Sequence, residues 1–388
     1  MQLIIPIRDV EEGCMAFSSK KKMAIIVASQ ELPSYTITVR AVLPYIKKGF
    51  DFDLFDSNSL EKCNVDNYQL LYIVKIMSKQ ALEIASAARV KKIPVVYEAD
   101  DNFLAPAQTP YGSAHVYLPN EQALLTAILS RVSLVLVYSR KSFERMRIFN
   151  PNIAILPIYQ HVYADAPPKR EAGTRIVGFM GTLNKELNFA WVLPALQRIA
   201  VEYPDVSFEF LGFIPPGAES LSSVRYVPFI TDYDAFIEDF KKRNWTVALA
   251  PLANIEFNLS KTNNKYREYA AVGYPGIYSN LEPYSNTVTD KLTGLLADNE
   301  CEAWENAVKL LFNDQQLASN IVKNAWNDMN DNYQFAKYCK VKMFILYSMV
   351  GSPSQEKMNS LIAAIEKRNT QIKLPALGGN SNDSASYI

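Results

Sequence analysis

Short apolar runs alternate with amphipathic stretches along most of the chain. Runs such as Met23–Ser29 and Ser133–Val137 are rich in Val, Ile and Leu, as strands are when both faces of a parallel sheet are buried. Between such runs lie stretches with helical spacing, among them Lys79–Val90 and Phe189–Tyr203. Strands that alternate with helices of this length predict an α/β fold built on parallel sheets.

The alternation is interrupted once, in the segment Tyr159–Thr174. This segment contains Pro167, Pro168 and a charged cluster, and we interpret it as a linker between two domains. After it the pattern of strands and helices begins again at Arg175. The predicted domains are residues 1–165, residues 174–334, C-terminal helices in 335–373 that return to the first domain, and a disordered polar tail in 374–388.

Composition and charge narrow the class of protein. With 388 residues and 49% hydrophobic side chains, the chain is long enough for two domains with large cores. Forty Lys and Arg balance forty Asp and Glu, which argues against nucleic-acid binding, because proteins of that class carry a basic surplus. Four scattered cysteines and two histidines provide no zinc-ligand spacing and no disulfide framework. These features favour a cytoplasmic protein.

Contact with a membrane surface remains open from the sequence. No apolar run approaches the roughly 20 residues that a membrane span needs, and the N-terminal segment MQLIIPIRDVEEGCMAF lacks the cationic start of a signal peptide. Two basic groups are candidates for peripheral contact with the inner face of a membrane. They are Lys20–Lys22, and Lys337, Lys340 and Lys342 beside the apolar stretch Met343–Met349.

The most informative segment is Ala250–Ser279, in which a strand leads through a polar loop into a helix. Ser260 or Thr262 is the expected N-cap of this helix, since short hydroxyl side chains accept hydrogen bonds from the first turn. Gly273 is the expected end of the helix, because glycine readily adopts the left-handed conformation found there.

Three charged residues of this segment suggest a binding site. Lys261, Lys265 and Glu268 have a spacing that places them on one face of a helix. Lysines at a helix N-terminus oppose the helix dipole, so their presence there makes sense if an anion binds. A carboxylate further along the helix can accept hydrogen bonds from sugar hydroxyls. A phosphate at the lysines and a ribose at the carboxylate together describe a nucleoside diphosphate. The alternative is a solvated helix face on which Glu268 pairs with one of the lysines.

Several segments resemble one family of enzymes. They are KTNNKYREYAAVGYPGIYS (261–279), TGLL (293–296), VGFMGTL (177–183), PDVSFEFLG (204–212) and, in the first half, VVYEADD (95–101). In this order and spacing they resemble GT-B glycosyltransferases, and most of all the family-four (group 1) enzymes that build bacterial surface polysaccharides. The resemblance extends over about Met23 to Tyr347.

The resemblance implies two Rossmann-like lobes that face each other across a cleft, with the donor nucleotide sugar in the second lobe and the acceptor in the first. Glu268 matches the second glutamate of the family's E-x7-E pattern, which holds the donor ribose. The other donor-site residues that it implies are Gly181 and Thr182 at the diphosphate, Lys261, Thr262 and Lys265 near the phosphates, and Val227 and Phe229 near the nucleobase.

The chain departs from the family pattern in two places. The first glutamate of E-x7-E falls on Ser260, and Glu256 lies four residues too early to replace it. Since that glutamate helps to hold the transferred sugar in the family, the departure leaves the sugar and the stereochemistry open. The glycine-rich turn after the first strand is replaced by Ser29–Ser34.

Candidate catalytic residues follow a strand of the first lobe. Glu98, Asp100 and Asp101 lie at its carboxyl end, where they can orient an acceptor hydroxyl or act as a general base. Alternatively, they cap the next turn. Three carboxylates can also hold Mg²⁺, but the resemblance implies an enzyme without an essential metal or cofactor. His115, in a loop with Gly and Pro, is a further candidate, because related enzymes place a histidine at the donor sugar.

The sequence therefore predicts a glycosyltransferase that moves a sugar from a nucleoside diphosphate sugar to a hydroxyl of a glycan, a lipid-linked sugar or a protein. Two alternatives remain. The departure at Ser260 is compatible with an inactive GT-B module that supports a partner glycosyltransferase. A nucleotide-sugar epimerase has the same fold, but it needs several acidic and histidine residues at the sugar, and two histidines in the whole chain disfavour it.

Overall fold

Two six-stranded parallel sheets form the framework of the protein. The computed structural model describes residues 19–105, 119–168, 173–182, 185–351 and 353–370. Within these residues, the first sheet has the strand order β2-β1-β3-β4-β5-β6 and the second has the order β12-β11-β10-β7-β8-β9. The predicted α/β fold with two Rossmann-like lobes is confirmed.

The first lobe is built on the first sheet. Its strands are β1 (Lys21–Val27), β2 (Phe50–Phe55), β3 (Leu70–Val74), β4 (Val95–Ala99), β5 (Leu134–Val137) and β6 (Ile153–Ile155). Its helices are α1 (Pro33–Thr38), α2 (Leu43–Gly49), α3 (Lys79–Val90), α4 (Pro119–Leu129) and α5 (Arg140–Met146). Met23 and Ile25 of β1 pack into the core on one face of the sheet, and Ala24 and Ile26 pack on the other. Burial of both faces explains the continuous apolar runs.

The sequence pattern from about Tyr35 to Lys48 predicts one continuous helix, but the structure divides this segment. A 3₁₀ turn, Arg40–Val42, separates α1 from α2. Pro44 lies at the start of α2. Because proline lacks an N–H group, it fits a first helical turn and not a helix interior.

The second lobe repeats the plan. Its strands are β7 (Arg175–Met180), β8 (Val206–Leu211), β9 (Val224–Val227), β10 (Val247–Ala250), β11 (Gly276–Ser279) and β12 (Leu295–Ala297). Its helices are α6 (Val192–Glu202), α7 (Tyr233–Phe240), α8 (Glu256–Leu259), α9 (Asn264–Val272), α10 (Cys301–Asn313) and α11 (Gln315–Asn332).

The last two helices, α12 (Phe335–Met349) and α13 (Gln355–Thr370), pack against the core of the first lobe. Tyr347 of α12 contacts Phe50 at the start of β2, with ring centroids 5.3 Å apart. Lys342 of α12 is completely buried, so the expectation that this lysine touches lipid is wrong. Among the described residues, no helix is long and apolar enough to cross a bilayer.

Candidate functional site

The turn after β7 lies at the carboxyl edge of the second sheet. This strand is central, with β10 on one side and β8 on the other, and ligands of open α/β sheets bind beyond the carboxyl ends of such strands. Gly181 follows β7 directly, and its N–H donates to the carbonyl oxygen of Leu211 at 2.9 Å. Thr182, the next residue, is exposed. Both residues predicted at the diphosphate are therefore on this edge.

The residues predicted at the nucleobase adjoin the same turn. The N–H of Gly212 donates to the carbonyl oxygen of Val227 at 2.8 Å. Gly212 has a φ of +75°, and a β-carbon there would lie 2.4 Å from the Gly181 oxygen and 3.1 Å from the Phe229 ring. The ring of Phe229 is 45% exposed. Glycine at 212 thus lets three predicted donor-site residues approach each other.

Substituting alanine for Gly212 is expected to displace the turn at Gly181. A side chain in the left-handed region costs roughly 1–3 kcal/mol, and the β-carbon adds a clash with the Gly181 oxygen. Gly173→Ala is the matched control, since its φ is +94° but no atom lies within 4 Å. In urea unfolding and nucleotide titrations, Gly212→Ala should lose both stability and affinity, whereas Gly173→Ala should lose only stability. Equal nucleotide affinity of the two variants would contradict the account.

Helix α9 begins later than the sequence analysis expected. Its N-cap is Asn263, without a side-chain cap hydrogen bond, and the Thr262 hydroxyl donates to the Asn264 side chain at 2.6 Å. The expectation that Ser260 or Thr262 caps this helix is therefore wrong. Lys261 precedes the helix, so it does not share a helical face with Lys265. The predicted end is confirmed, since Gly273 is the C-cap with a φ of +73°.

Three lysines nevertheless come together at the end of β7. We call Lys185, Lys261 and Lys265 the lysine cluster. Burial and the charges of Lys261 and Lys265 lower the pKa of Lys185 to about 7. Burial and the charge of Lys261 lower the pKa of Lys265 to about 8. Like charges are thus held close together, as a site for a multivalent anion requires.

Two contacts fix the lysine cluster beside Gly181. The Lys265 ammonium lies 5.5 Å from the ring centroid of Phe179, the penultimate residue of β7. A β-carbon at Gly181 would lie 3.8 Å from Cγ of Lys185. Lys185 is not among the residues predicted from the sequence, although its position in the turn after a central strand is a usable signal.

Glu268 lies on α9 one turn beyond Lys265. Its carboxylate is half-buried and accepts a hydrogen bond from the Tyr233 hydroxyl at 3.2 Å. Burial raises the pKa of Glu268, and the charges of Arg267 and Lys265 oppose this rise. The Glu268 carboxylate therefore lies close enough to Lys265 of the lysine cluster for their charges to interact.

The first lobe places two carboxylates opposite the lysine cluster. Asp100 pairs with Lys75 at 2.8 Å, and its Oδ1 atom is buried without a hydrogen-bond partner among the described residues. Burial raises the pKa of Asp100, and the Lys75 ammonium opposes this rise. Asp101 is close enough to Lys185 for its negative charge to raise the pKa of that lysine. Asp101 therefore lies near the lysine cluster of the second lobe, and Asp100 is its neighbour in the chain.

Glu98 has different surroundings from the two aspartates. It is 0% exposed and accepts hydrogen bonds from the hydroxyls of Tyr72 at 2.6 Å and Tyr138 at 2.5 Å. The Lys342 ammonium lies 3.0 Å from its Oε2 atom. These contacts favour a structural role. His115, the remaining predicted catalytic residue, lies outside the described residues.

A polar seam joins the lobes next to the site. The Asn102 amide donates to Oγ of Ser260 at 3.0 Å and approaches Oε1 of Glu256 at 3.4 Å. Arg145 lies 3.8 Å from the same Glu256 oxygen. Ser260 is buried, and its hydroxyl also donates to the Glu256 carbonyl at 2.7 Å. The side chain at position 260 is thus covered by Asn102 of the first lobe. The carboxylate near this position belongs to Glu256.

No metal site is evident in the part of the chain that the structure describes, because no three or more His, Cys, Asp and Glu side chains converge there. In the first lobe, Asp100 is paired with the ammonium group of Lys75.

Neither a family model nor a curated protein matches the chain. Solved structures do match. Anabaena HepE in complex with UDP and glucose has a TM-score of 0.62 at 14% identity, covering 85% of this chain and 100% of HepE. Sucrose-phosphate synthase from Thermosynechococcus elongatus has a TM-score of 0.63 at 14% identity, covering 89% of this chain and 100% of the synthase. The chain has the GT-B fold.

The GT-B fold also occurs in a neighbour with another activity. A UDP-N-acetylglucosamine 2-epimerase, described as putative, from Listeria monocytogenes has a TM-score of 0.54 at 9% identity, covering 87% of this chain and 98% of that protein. At such identities the neighbours establish the fold, and the function has to be argued from the site itself.

Proposed function

We propose that this protein is a glycosyltransferase that uses a nucleoside diphosphate sugar as donor. The observation that carries the proposal is the lysine cluster at the end of β7, with Glu268 beside it on α9. Three lysine side chains are held together there, and their mutual repulsion contributes to the lowered pKa values of Lys185 and Lys265. A diphosphate supplies the opposite charge, and the ribose hydroxyls then lie towards the Glu268 carboxylate.

In the proposed reaction, the oxygen of an acceptor hydroxyl attacks the anomeric carbon of the donor sugar. The bond between that carbon and the β-phosphate oxygen breaks, and the nucleoside diphosphate leaves with the electron pair. The lysine cluster stabilises the negative charge that develops on the leaving group. The hydroxyl proton passes to a carboxylate of the first lobe, where Asp101 faces the cluster and Asp100 is held by Lys75.

The affinity for a nucleoside diphosphate is expected to fall between pH 7 and pH 9. The ligand binds the protonated lysines, and the free pKa values are about 7 for Lys185 and about 8 for Lys265. Affinity for the fully ionised diphosphate therefore falls as these groups lose their protons above pH 7, and binding near pH 8 takes up protons. Calorimetric titration in two buffers of different ionisation enthalpy measures this uptake. A constant affinity without buffer dependence would contradict the assignment.

The experiment for the proposed function is a calorimetric titration of the full chain with UDP, GDP, TDP, CDP and ADP. Micromolar binding of at least one of them supports the donor site and identifies the base. The same nucleotide with a range of attached sugars, tested with and without glycan acceptors, then reports transfer as release of the free nucleoside diphosphate. Absence of binding by all five would refute the proposal.

A module that binds donor without transferring sugar is the second candidate. The observation in its favour is Ser260, which is buried and bonded to Asn102 where the family has a glutamate. An epimerase can be distinguished from both candidates by its product, because it changes the configuration of the sugar in a UDP sugar without any acceptor. Nucleotide binding with neither transfer, hydrolysis nor epimerisation across an acceptor panel would favour the binding module.

A further inference from the structure

Basic side chains line one edge of the first sheet. All six strands are parallel and begin at this edge, which is opposite the edge where Asp100 and Asp101 lie. The basic residues that open a strand or precede it form a set that we call the basic edge. It consists of Lys20, Lys21 and Lys22 at β1, Lys47 and Lys48 before β2, Arg89, Lys91 and Lys92 before β4, Arg131 before β5 and Arg147 before β6.

The basic edge keeps a net positive charge although the whole chain has a net charge of zero. Lys21 and Arg131 are half-buried, and the other members are exposed. Three carboxylates pair with members of the set. Asp51 lies 3.5 Å from Lys20, Asp53 lies 3.1 Å from Lys22, and Asp66 pairs with Lys91. The ten basic side chains of the set thus outnumber the three carboxylates paired with them, which makes this edge of the sheet basic.

Exposed apolar side chains project among the basic ones. Val90, before β4, is 82% exposed, and Ile148 and Phe149, before β6, are 73% and 37% exposed. The turn before β5 connects the turn before β4 with the turn before β6. The guanidinium of Arg89 donates to the Ser130 carbonyl at 2.7 Å, and the amide of Asn150 donates to the Leu129 carbonyl at 2.8 Å. The three turns therefore form one continuous surface.

We propose that the basic edge docks this protein on an anionic lipid bilayer. Lysine and arginine near a membrane surface are attracted by acidic headgroups, and exposed Val, Ile and Phe side chains can enter the boundary between headgroups and acyl chains. Six strands about 4.8 Å apart make the edge roughly 25 Å wide, which suits an extended flat surface. Phe149 is its one exposed aromatic residue among those described, so it offers no stacking platform for nucleic acid.

Docking also has a consequence for the acceptor, which rests on the proposed function. The cleft lies at the opposite edge of the sheet, and a strand the length of β1 spans roughly 20 Å. A docked protein therefore holds its cleft roughly 20 Å from the headgroups. An acceptor sugar at the end of a lipid-linked glycan of several residues reaches that height, whereas a sugar attached directly to the lipid does not.

The test is cosedimentation of the full chain with vesicles. One set contains phosphatidylcholine alone and the other contains about 30% phosphatidylglycerol. The wild type is expected to bind the anionic vesicles at least about tenfold more tightly, and high salt should weaken this binding. Lys48→Glu combined with Arg147→Glu, at the two ends of the basic edge, is expected to lower the binding about tenfold or more.

The matched control is Lys242→Glu combined with Lys323→Glu, which makes the same change in net charge on exposed residues of the second lobe. This control should bind anionic vesicles like the wild type. The proposal is overturned if the wild type does not bind them, as expected if the edge serves an acidic protein, or if both double variants bind equally. Nucleotide affinity, measured on the same samples, reports folding and tests the proposed function independently of docking.

Discussion

Lys265→Ala is expected to weaken binding of the nucleoside diphosphate by about ten- to hundredfold. A hydrogen bond to a charged group contributes about 1.5–3 kcal/mol, and about 1.4 kcal/mol corresponds to a factor of ten in affinity. Lys265 is anchored on α9 beside the Phe179 ring, so its ammonium is already in place before the anion arrives. Titration calorimetry of the wild type and the variant measures the difference.

The same titration distinguishes a site from a general effect of charge. Lys323→Ala removes a positive charge from an exposed position of the same lobe and should leave the affinity within about twofold, because salt screens distant charges. Lys185→Met should resemble Lys265→Ala, because Lys185 belongs to the same lysine cluster. If Lys265→Ala and Lys323→Ala bound nucleotide equally, the lysine cluster would not be the diphosphate site.

Lys342→Met is expected to destabilise the first lobe by about 3–5 kcal/mol, because it leaves the Glu98 carboxylate buried without its cation. The Lys342 ammonium contacts Glu98 at 3.0 Å, the Thr38 carbonyl at 2.5 Å and the Tyr338 hydroxyl at 2.9 Å. All of these groups belong to the first lobe or to α12, so the ion pair between Lys342 and Glu98 holds α12 against the first sheet. Denaturant unfolding followed by circular dichroism measures the loss.

Two comparisons make this result specific. Lys340→Met, an exposed position on the same helix, should change the stability by less than about 0.5 kcal/mol. Adding Glu98→Gln to Lys342→Met should recover part of the loss, since no charge then remains buried. All four tryptophans of the chain lie between residues 191 and 326, in the second lobe, so their fluorescence should report a smaller shift. Equal stability of Lys342→Met and Lys340→Met would contradict a structural role for Glu98.

The fold was accessible from the sequence because its strands are buried on both faces. Such strands read as continuous apolar runs, and their spacing by helices specifies parallel sheets. The break between α1 and α2 was missed, although Pro44 was a visible signal for it. The alternation of elements carries this information locally, which is why the fold class was predictable.

The site was predictable only as far as local patterns reach. Gly181 follows a strand directly, and Lys265 and Glu268 lie on one helix. In the structure, Lys265 lies beside the strand that precedes Gly181, and its charge acts on Glu268. In contrast, Asn102 and Ser260 are 158 residues apart in the chain, and Glu98 and Lys342 are 244 apart. No local pattern specifies such pairs. Glu98 therefore resembled a cleft residue until the position of α12 was known.

The most direct test of the central claim is the release of free nucleoside diphosphate from its sugar form, followed with glycan acceptors and without them. The account predicts slow release in water and faster release with a suitable acceptor. It also predicts that Lys265→Ala lowers both rates while Lys323→Ala does not. Tight nucleotide binding without release of free nucleoside diphosphate in the presence of any acceptor would contradict sugar transfer. Release that is unaffected by Lys265→Ala would contradict the placement of the donor site.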